Sequence, residues 1–338
     1  MNTDQLRERF PDENACRAFF ESIIWRNGRF CPHCGFERTY PISGKTSRAG
    51  LYECGWCKGQ FTVTTKSPLH STKLSLWKWL LAMYYIVNSS KGVSSVFLAK
   101  WIGVTQKTAW KLGHAVREMM DPGAEGKPIL SGTVELDEKY FGGKPRPKVG
   151  VRYKSGKGTK KQAVLVAVER QGPVRTALIN SDKTAELQPW VEDFVQKDAH
   201  LMTDENHSYR KIGQQYASHQ WVKHAMHEFS RGEVHNNTAE SFSALLERAK
   251  LGVFHYMSTK HLKRYLNEIG FRWDHRLPEE KKKKDGTKKI VMIPMPVMTK
   301  LQSLLQHAFG RQIRQTKKGG IRRLTFAWRV RNQPFFGI

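Results

Sequence analysis

The 338-residue sequence contains 57 lysines and arginines against 30 aspartates and glutamates, a formal net charge of +27. A chain of this length has room for two or three domains with a sizeable core, and its ordinary apolar share excludes a chain that is disordered as a whole. No stretch approaches the ~18–20 apolar residues of a transmembrane helix, and residues 1–13 contain no apolar signal core, so we expect a soluble, cytoplasmic protein without a membrane partner. The excess of positive charge favours a polyanion, with nucleic acid ahead of a membrane surface.

Residues 1–30 are predicted to form a helical segment. Ala15, Phe19 and Ile23 recur at helical spacing, and the same stretch contains Cys16. A free cysteine on an amphipathic helix is usually a small buried residue. We therefore expect Cys16 to lie in the core and not to bind metal.

Two Cys-x-x-Cys pairs dominate residues 31–65. The first pair is Cys31 and Cys34, nineteen residues follow, and the second pair is Cys54 and Cys57. Each pair can turn both thiolates towards one ion, and two such pairs supply the closed tetrahedral set of a structural Zn²⁺. A redox dithiol is the alternative, but the paired spacing argues against it. We predict a zinc ribbon that docks on DNA or on another protein, in which the four cysteines are the ligands and the histidine of the first pair is not.

Residues 70–122 are predicted to be a helix-turn-helix region. Gly103 marks the turn, a threonine two residues later is a suitable N-cap, and the second helix begins at Gln106. In this interpretation Gln106, Lys107 and Lys111 face a DNA groove or its phosphates. A plain helical bundle is the alternative, and the net charge of the chain favours DNA contact.

Asp137 lies in the middle of an apolar run, TVELDEKYFGG, which predicts a buried strand at 133–141. An unpaired charge in such a strand costs several kcal/mol, on the order of the penalty for any buried ion. We therefore expect this carboxylate to face a cleft and to hold a cation. The basic, glycine-rich stretch 142–161 is predicted to be a loop, which is either a solvated hairpin tip or a phosphate contact.

Residues 131–276 alternate strands and helices in the order of a ribonuclease-H-like domain. Three strands in series are followed by a helix, a fourth strand, and then a helix, a strand and two long helices. This order predicts an α/β domain with a mixed five-stranded sheet, preceded by the zinc ribbon and the helix-turn-helix. It places Asp137 in the first strand, Asp204 at the end of the fourth, and Glu240 in the first turn of the helix after the fifth. In that fold these positions converge on one edge of the sheet.

Three segments of the sequence resemble the DDE transposases of bacterial insertion sequences, in particular the ISXO-like group, which also has an N-terminal zinc ribbon. The segments are VELDEKYFGGK, TDENHSY and HNNTAESFSALLERAKLGVFHYMSTKHLKRYLNEIGFRW, within a similarity that covers roughly residues 10–276. The resemblance implies that Asp137, Asp204 and Glu240 are the catalytic acids and hold Mg²⁺ or Mn²⁺. It also implies double-stranded DNA partners (terminal inverted repeats and target DNA), a homo-oligomer, and a bacterial cytoplasmic protein associated with the nucleoid.

The chemistry implied by the resemblance is cleavage of DNA strands followed by their transfer. Phosphodiester cleavage needs an activated water and a stabilised leaving oxygen, and two divalent ions ~4 Å apart supply both. Carboxylates suit hard ions such as Mg²⁺. A DNA-binding regulator that has lost the chemistry and a nuclease of the same fold are the alternatives, and the presence of all three acids favours the enzyme.

Other polar residues near the three acids are weaker candidates. Glu135 shares a strand face with Asp137 and is a second candidate for metal contact, whereas Glu138 points the other way and is expected at the surface or behind the ligands. His235 and Asn236 precede the helix of the third acid, where they either cap the helix or orient that acid or a phosphate.

Residues 277–338 form a basic C-terminal extension that the resemblance does not cover. From residue 281 onward it has fifteen lysines and arginines and one acid, Asp285. Its cationic run KKKKDGTKK is predicted to be mobile and to seek phosphate. The extension is either a folded accessory piece or an arm that binds DNA or a partner subunit.

Overall fold

The computed structural model describes residues 1–44, 46–123, 130–142, 150, 161–223, 226, 228, 230–283, 286–316 and 320–324. The chain divides into two compact units. The terminal unit comprises Met1–Asn88, Ser95–Met120 and Pro296–Ile338, and the central unit comprises Ser89–Ser94 and Asp121–Met295. The five segments predicted from the sequence divide the chain differently and stay a prediction. Most of the predicted loop 142–161, including Gly143, lies outside the described residues.

Helices and strands alternate along both units. The helices are α1 (Thr3–Arg9), α2 (Glu13–Ile24), α3 (Leu76–Asn88), α4 (Ser95–Ile102), α5 (Gln106–Met119), α6 (Thr184–Phe194), α7 (His207–Gly213), α8 (Asn237–Ala249), α9 (Leu262–Asp274) and α10 (Val297–Gln306). The strands are β1 (Thr39–Pro41), β2 (Tyr52–Cys54), β3 (Gln60–Phe61), β4 (Thr133–Phe141), β5 (Gln162–Glu169), β6 (Val174–Ile179), β7 (His200–Thr203), β8 (Ser218–Trp221), β9 (Ser230–Arg231), β10 (Val234–His235), β11 (Arg276–Lys282), β12 (Lys288–Pro294), β13 (Ile313–Gln315) and β14 (Ile321–Arg323). Among these described helices, none is both long and apolar enough to cross a membrane.

The terminal unit is built around α3. Trp79, Leu80, Met83 and Ile86 of this helix are each at most 5% exposed, and α3 packs against α2, α4, α5 and α10. An apolar helix of this kind is stable only when neighbours cover it on most sides. One of the covering helices, α10, belongs to the basic C-terminal extension, so this part of the extension is a folded piece of the terminal unit.

Helices α4 and α5 have the local structure predicted for a helix-turn-helix. Gly103 adopts a left-handed φ of 64° at the turn, and the Thr105 hydroxyl accepts a hydrogen bond from the Thr108 amide at 3.3 Å as an N-cap. The second half of α5, from Leu112 to Met119, is buried. Only the first half of α5 is therefore available to a partner.

A three-stranded antiparallel sheet, ordered β1–β2–β3, forms the ribbon of the terminal unit. Cys31, Cys54 and Phe61 make its small core, with Trp25 and Tyr52 packed against them. So few apolar residues bury little surface, and folds of this size usually need a metal for stability.

The central unit contains a five-stranded mixed sheet in the order β6–β5–β4–β7–β8. Strands β4, β5 and β6 are antiparallel neighbours, whereas β7 pairs in parallel with both β4 and β8. This is the predicted ribonuclease-H-like order, and the first strand has the predicted bounds, Thr133–Phe141.

Helices cover the sheet on both faces. Side chains of α6 and α7, including Leu187 and Tyr209, pack on the face of β4 that presents Val134 and Leu136. Side chains of α8 and α9, including Phe242, pack on the face that presents Phe141. Because successive strand residues alternate between faces, Glu135 and Asp137 lie on the α8 side of the sheet.

Two antiparallel hairpins follow α9. Strand β11 pairs with β12 immediately after α9, and β13 pairs with β14 after α10. Four lysines of the cationic run predicted to be mobile, Lys281, Lys282, Lys288 and Lys289, are instead paired in β11 and β12, and residues 284–285 lie outside the described part. Residues 325–338 also lie outside the described part.

Candidate functional site

The four predicted zinc ligands lie together in the ribbon. Their Sγ atoms are all within 4.8 Å of one another, with Cys31 and Cys57 3.6 Å apart and Cys34 and Cys54 3.5 Å apart. Zn–S bonds of 2.3 Å in a tetrahedron place sulfurs ~3.8 Å apart, so the cluster has the size of a Zn²⁺ site. All four cysteines are free of disulfides.

Backbone amides support both halves of the cysteine cluster. The amide of His33 donates to Cys31 Sγ at 3.3 Å, and the amide of Cys57 donates to Cys54 Sγ at 3.5 Å. The His33 ring lies 3.2 Å from the Gln60 carbonyl oxygen and does not belong to the cluster. Cys16 is fully buried elsewhere, and burial raises the pKa of its thiol to about 11. The predicted roles of both residues agree with these positions.

Asp137 and Asp204 come from adjacent parallel strands. The last paired residues of β4 and β7 are Glu135 and Met202, and the two acids lie two residues further along each chain. Strand alternation keeps both acids on the same side as those paired residues. Burial, and then the negative charge of Asp204, raise the pKa of Asp137 to about 6. The two carboxylates therefore repel each other inside a poorly solvated site, which is the condition that a bound cation relieves.

Glu240 lies beside this pair but does not close a cluster with it. It is exposed in the first turn of α8, and one turn later Ser243 donates a hydrogen bond of 3.2 Å to Asp137. Residues three apart share a helix face, so Glu240 follows the α8 face that contacts Asp137. Across the described ranges, the four cysteines are the one group of three or more His, Cys, Asp or Glu residues placed closely enough to hold a metal. The structure thus brings Asp137 and Asp204 together. Glu240 lies on the helix face that contacts Asp137 but does not form a metal-sized cluster with the two aspartates.

Glu135 anchors the start of α8 to strand β4. Its side chain is 0% exposed, and it accepts hydrogen bonds from the amides of Thr238 and Ala239 at 2.6 and 3.0 Å and from the Thr238 hydroxyl at 3.0 Å. A carboxylate at a helix N-terminus also interacts favourably with the helix dipole. These contacts occupy both of its oxygens, so we assign Glu135 to positioning and not to the metal contact considered from the sequence.

Arg170 completes this anchor from the end of β5. Its Nε donates to Glu135 Oε1 at 2.7 Å, and its Nη2 donates to the carbonyl oxygens of Glu233 and His235 at 2.8 and 3.1 Å. The His235 ring also lies 3.3 Å from Glu135. Arg170 thereby holds the segment that leads into α8 against the strand that contains Asp137.

Asn236 supplies a direct link between the start of α8 and strand β4. Its side chain is 2% exposed, and its Nδ2 donates to the carbonyl oxygen of Leu136 at 3.0 Å. Its Oδ1 is buried and accepts no hydrogen bond from the described residues. An oxygen in this state can accept from water or from a hydrated ligand. The N-cap role considered for Asn236 is not seen, because Glu135 takes the amides that an N-cap would bind.

Glu138 lies on the opposite face of β4 from Asp137. Tyr209 donates a 2.6 Å hydrogen bond to its Oε1, and Asn206 donates one of 3.3 Å. Burial raises the pKa of Glu138 to about 8, with the charges of Asp204 and Asp137 adding to the rise. The raised pKa favours the protonated form of Glu138 and so reduces the negative charge behind the site. Its enclosure matches the expectation that it lies behind the ligands.

Comparison with known proteins identifies the class of the molecule. Residues 129–274 match the model of the ISXO2-like transposase domain, and residues 11–60 match that of the transposase zinc-ribbon domain. A protein of the transposable element ISH50 from Halobacterium salinarum is 26% identical over 251 residues, which cover 71% of this chain and 83% of the relative. The class is therefore that of a transposase with a zinc ribbon.

Solved structures of transposase complexes were also found. The Mos1 strand transfer complex and the Mos1 mariner paired end complex with Mn each show 12% identity over 56% of this chain and 70% of theirs, at a TM-score of 0.25. Scores this low support no argument. The chain thus contains an ISXO2-like transposase domain and, before it, a transposase zinc-ribbon domain, as its three sequence segments and its cysteine pairs predicted.

Proposed function

We propose that this transposase binds double-stranded DNA at the ends of its own element and cuts and rejoins strands with Asp137, Asp204 and Glu240. The observation that supports the proposal is the Asp137–Asp204 pair beside the helix that contains Glu240: burial, and then the charge of Asp204, raise the pKa of Asp137 to about 6. Perturbed carboxylates that converge from distant parts of a chain are typical of catalytic sites.

The side chains present fit divalent metal ions with oxygen ligands. Asp137, Asp204 and Glu240 would supply carboxylates. The Oδ1 of Asn236, which has no hydrogen-bond partner among the described residues, adds a buried amide oxygen on a side chain bonded to β4 next to Asp137. Mg²⁺ favours such hard donors and keeps several waters. When bound, such ions would activate a water or a 3′-hydroxyl and stabilise the leaving oxygen.

The protein's own contribution is to fix the distance between strand β4 and helix α8. Ser243 holds the Asp137 carboxylate, while Glu135 and Arg170 hold the start of α8. Glu240, one helical turn before Ser243, would supply the third carboxylate from the same face of α8. Positioning of this kind contributes strongly to reactions that need in-line geometry.

The first half of α5 would contact the DNA. Gln106, Lys107 and Lys111 are exposed there, while the rest of α5 is buried in the terminal unit. Recognition helices of this class contact bases with their N-terminal residues. Gln106 also donates to the Ser95 hydroxyl at 2.8 Å, which orients its side chain across the turn. We further expect a homo-oligomer, and this expectation rests on the family resemblance alone.

End-labelled duplexes that contain the terminal inverted repeat of the element test the proposal. With Mg²⁺, the parent should release the labelled strand and join its 3′ end to target DNA. Cleavage activity should fall by more than ~100-fold in each of Asp137→Asn, Asp204→Asn and Glu240→Gln. Removing a residue that only supports a metal ligand typically lowers activity by ~10–100-fold. Glu247→Gln, a charge-matched change two turns later on α8, should cleave like the parent.

The outcomes separate the alternatives. Equal cleavage by the three acid variants and the parent would remove these residues from the mechanism. Binding without cleavage by the parent would indicate a regulator, and cleavage without joined product would indicate a nuclease.

A further inference from the structure

Strands β11 and β12 form a two-stranded ribbon whose outer half is basic on both faces. Arg276 pairs with Pro294 at its base, and Lys282 pairs with Lys288 at its outer end. At ~3.4 Å per residue, seven residues give each strand a length of about 20 Å. Every described residue of β11 beyond Arg276 is exposed, so the ribbon packs little against the rest of the protein.

The outer half pairs like charges directly. Lys281 lies opposite Lys289, and Lys282 lies opposite Lys288. Like charges directly opposite each other destabilise an antiparallel pair. A ribbon selected for its own stability would place acids opposite these lysines, so this pairing indicates an external anion.

Acidic side chains neutralise only part of this charge. Glu279 lies 3.2 Å from Lys281, and Glu280 lies 2.9 Å from Lys288, both towards the base of the ribbon. Within the described part of the chain, Lys282, Lys283 and Lys289 have no ion pair. Positive charge therefore concentrates at the outer end.

The distribution of charge over two faces suits a groove with a phosphate wall on each side. Directly paired residues share a face, and neighbouring pairs alternate, so Lys282 and Lys288 project from one face and Lys281 and Lys289 from the other. The major groove of B-DNA, ~12 Å wide, admits a two-stranded β-ribbon and is bordered by a backbone on either side.

We propose that this lysine ribbon (Lys281–Lys283, Lys288 and Lys289) is a DNA-binding arm that enters a groove of the duplex and contacts phosphates on both walls. It is separate from α5 and from the carboxylates. It deepens the DNA binding of the proposed function and does not depend on the strand-cutting chemistry.

The test compares two variants of the full-length protein that lose the same charge. The ribbon variant changes Lys281, Lys282, Lys288 and Lys289 to Gln, and the control changes the exposed Lys183, Lys197, Lys211 and Lys223 of the central unit to Gln. The probe is a fluorescein-labelled 40-bp duplex of mixed sequence without added divalent cation, and Kd is measured by anisotropy at several KCl concentrations.

The salt dependence reports the number of phosphate contacts. Each lost phosphate contact lowers the magnitude of the slope of log K against log salt by ~0.9. Relative to the parent, that magnitude should fall by about 2–4 in the ribbon variant and by less than about 1 in the control. The ribbon variant should also bind at least ~10-fold more weakly than the control at a fixed salt concentration. Its thermal unfolding midpoint should change little, because the substitutions remove two like-charge pairs together with two exposed ion pairs of small worth.

A second measurement is independent of substitutions. Duplex DNA should protect the ribbon lysines of the parent from acetylation, as read by peptide mass spectrometry, while Lys183 and Lys211 stay reactive. Equal slopes for the two variants together with unprotected ribbon lysines would overturn the proposal and leave an acidic protein surface as the ribbon's partner. If the parent does not bind duplex at all, DNA binding itself fails. If the parent binds duplex but does not cleave it, only the catalytic proposal is overturned, and the proposal for the lysine ribbon stands.

Discussion

The two candidate metal sites of this protein differ in how they are assembled. The zinc cluster draws four ligands from two short turns within residues 31–57, and its sulfur atoms already lie within 4.8 Å of one another. The carboxylate site draws Asp137, Asp204 and Glu240 from two strands and a helix, and it stays open at Glu240. A closed set of soft ligands stabilises a fold, whereas an open set of repelling acids stores unfavourable energy that a metal and a substrate can relieve. Four substitutions test this difference, in order of expected effect.

The largest effect should come from the closed site. Cys31→Ser removes one sulfur ligand, so we expect loss of stoichiometric zinc and unfolding of the zinc ribbon. The reason is that metal binding in such folds contributes ~10 kcal/mol or more of folding free energy. Metal analysis and hydrogen exchange over residues 31–61 measure it. Cys16→Ala, a core cysteine outside the cluster, should keep its zinc. Full zinc in the Cys31 variant would contradict a four-sulfur site.

The second effect concerns the anchor of α8. Glu135→Ala leaves Arg170 without its buried partner and the first amides of α8 without an acceptor, so we expect a loss of about 3–5 kcal/mol in urea unfolding. Glu233→Gln removes the partner of Arg170 that is 95% exposed, and it should cost less than ~0.5 kcal/mol. Similar losses in both variants would show that Glu135 does not anchor the helix.

The third effect has the opposite sign. The pKa of Asp137 is raised to about 6 in the folded protein from an ordinary value near 3.8, so folding favours its protonated form. The protonated form is lost as the pH rises through 6. Above that pH the folded state carries the full free-energy cost of a buried, ionised Asp137. Asp137→Asn should therefore stabilise the protein at pH 7.5 by roughly 1–3 kcal/mol without added divalent cation, at 1.36 kcal/mol per pKa unit.

The control for this substitution is the pH itself. The gain should shrink at pH 5.0 and vanish only below about pH 3, where the carboxyl is protonated in both the folded and the unfolded state. Mg²⁺ should raise the unfolding midpoint of the parent more than that of the variant. A variant that is less stable than the parent at pH 7.5 would show that Asp137 is not strained.

The smallest effect comes from the hydroxyl that contacts Asp137. Ser243→Ala removes a hydrogen bond to the charged carboxylate, so the pKa of Asp137 should rise further and stability should change by no more than ~1 kcal/mol. The acid limb of the Mg²⁺-dependent cleavage profile should then move to higher pH. Ser241→Ala, at an exposed position of the same helix, should leave the profile unchanged, and superimposed profiles for all three proteins would exclude the contact.

Local patterns predicted the parts of the molecule that depend on local chemistry. Cysteine spacing predicted the zinc ribbon, and the apolar run predicted both end residues of β4 correctly. Contacts between distant residues gave no such signal. Glu135 caps a helix that begins more than 100 residues later, and nothing in its neighbourhood marks it as a cap. Helix α7 ends at Gly213, and His219 of the next strand packs where a β-carbon of residue 213 would lie, with its nearest ring atom 2.3 Å from that position. The assignment of the three acids rests on fold order and family resemblance, and it stays a prediction.

The placement of α10 bears on how the molecule is made. The helical unit that holds the exposed start of α5 includes residues from 296 onward, and Lys300 donates a hydrogen bond to the carbonyl oxygen of Val87 at 3.0 Å. During synthesis the sheet-containing unit can fold once its strands have left the ribosome, whereas the helical unit must wait until residues beyond 296 have been made. A product truncated before residue 296 would thus keep its acids but lack the packing that supports α5. Translation itself would then delay DNA contact by α5 until α10 has emerged.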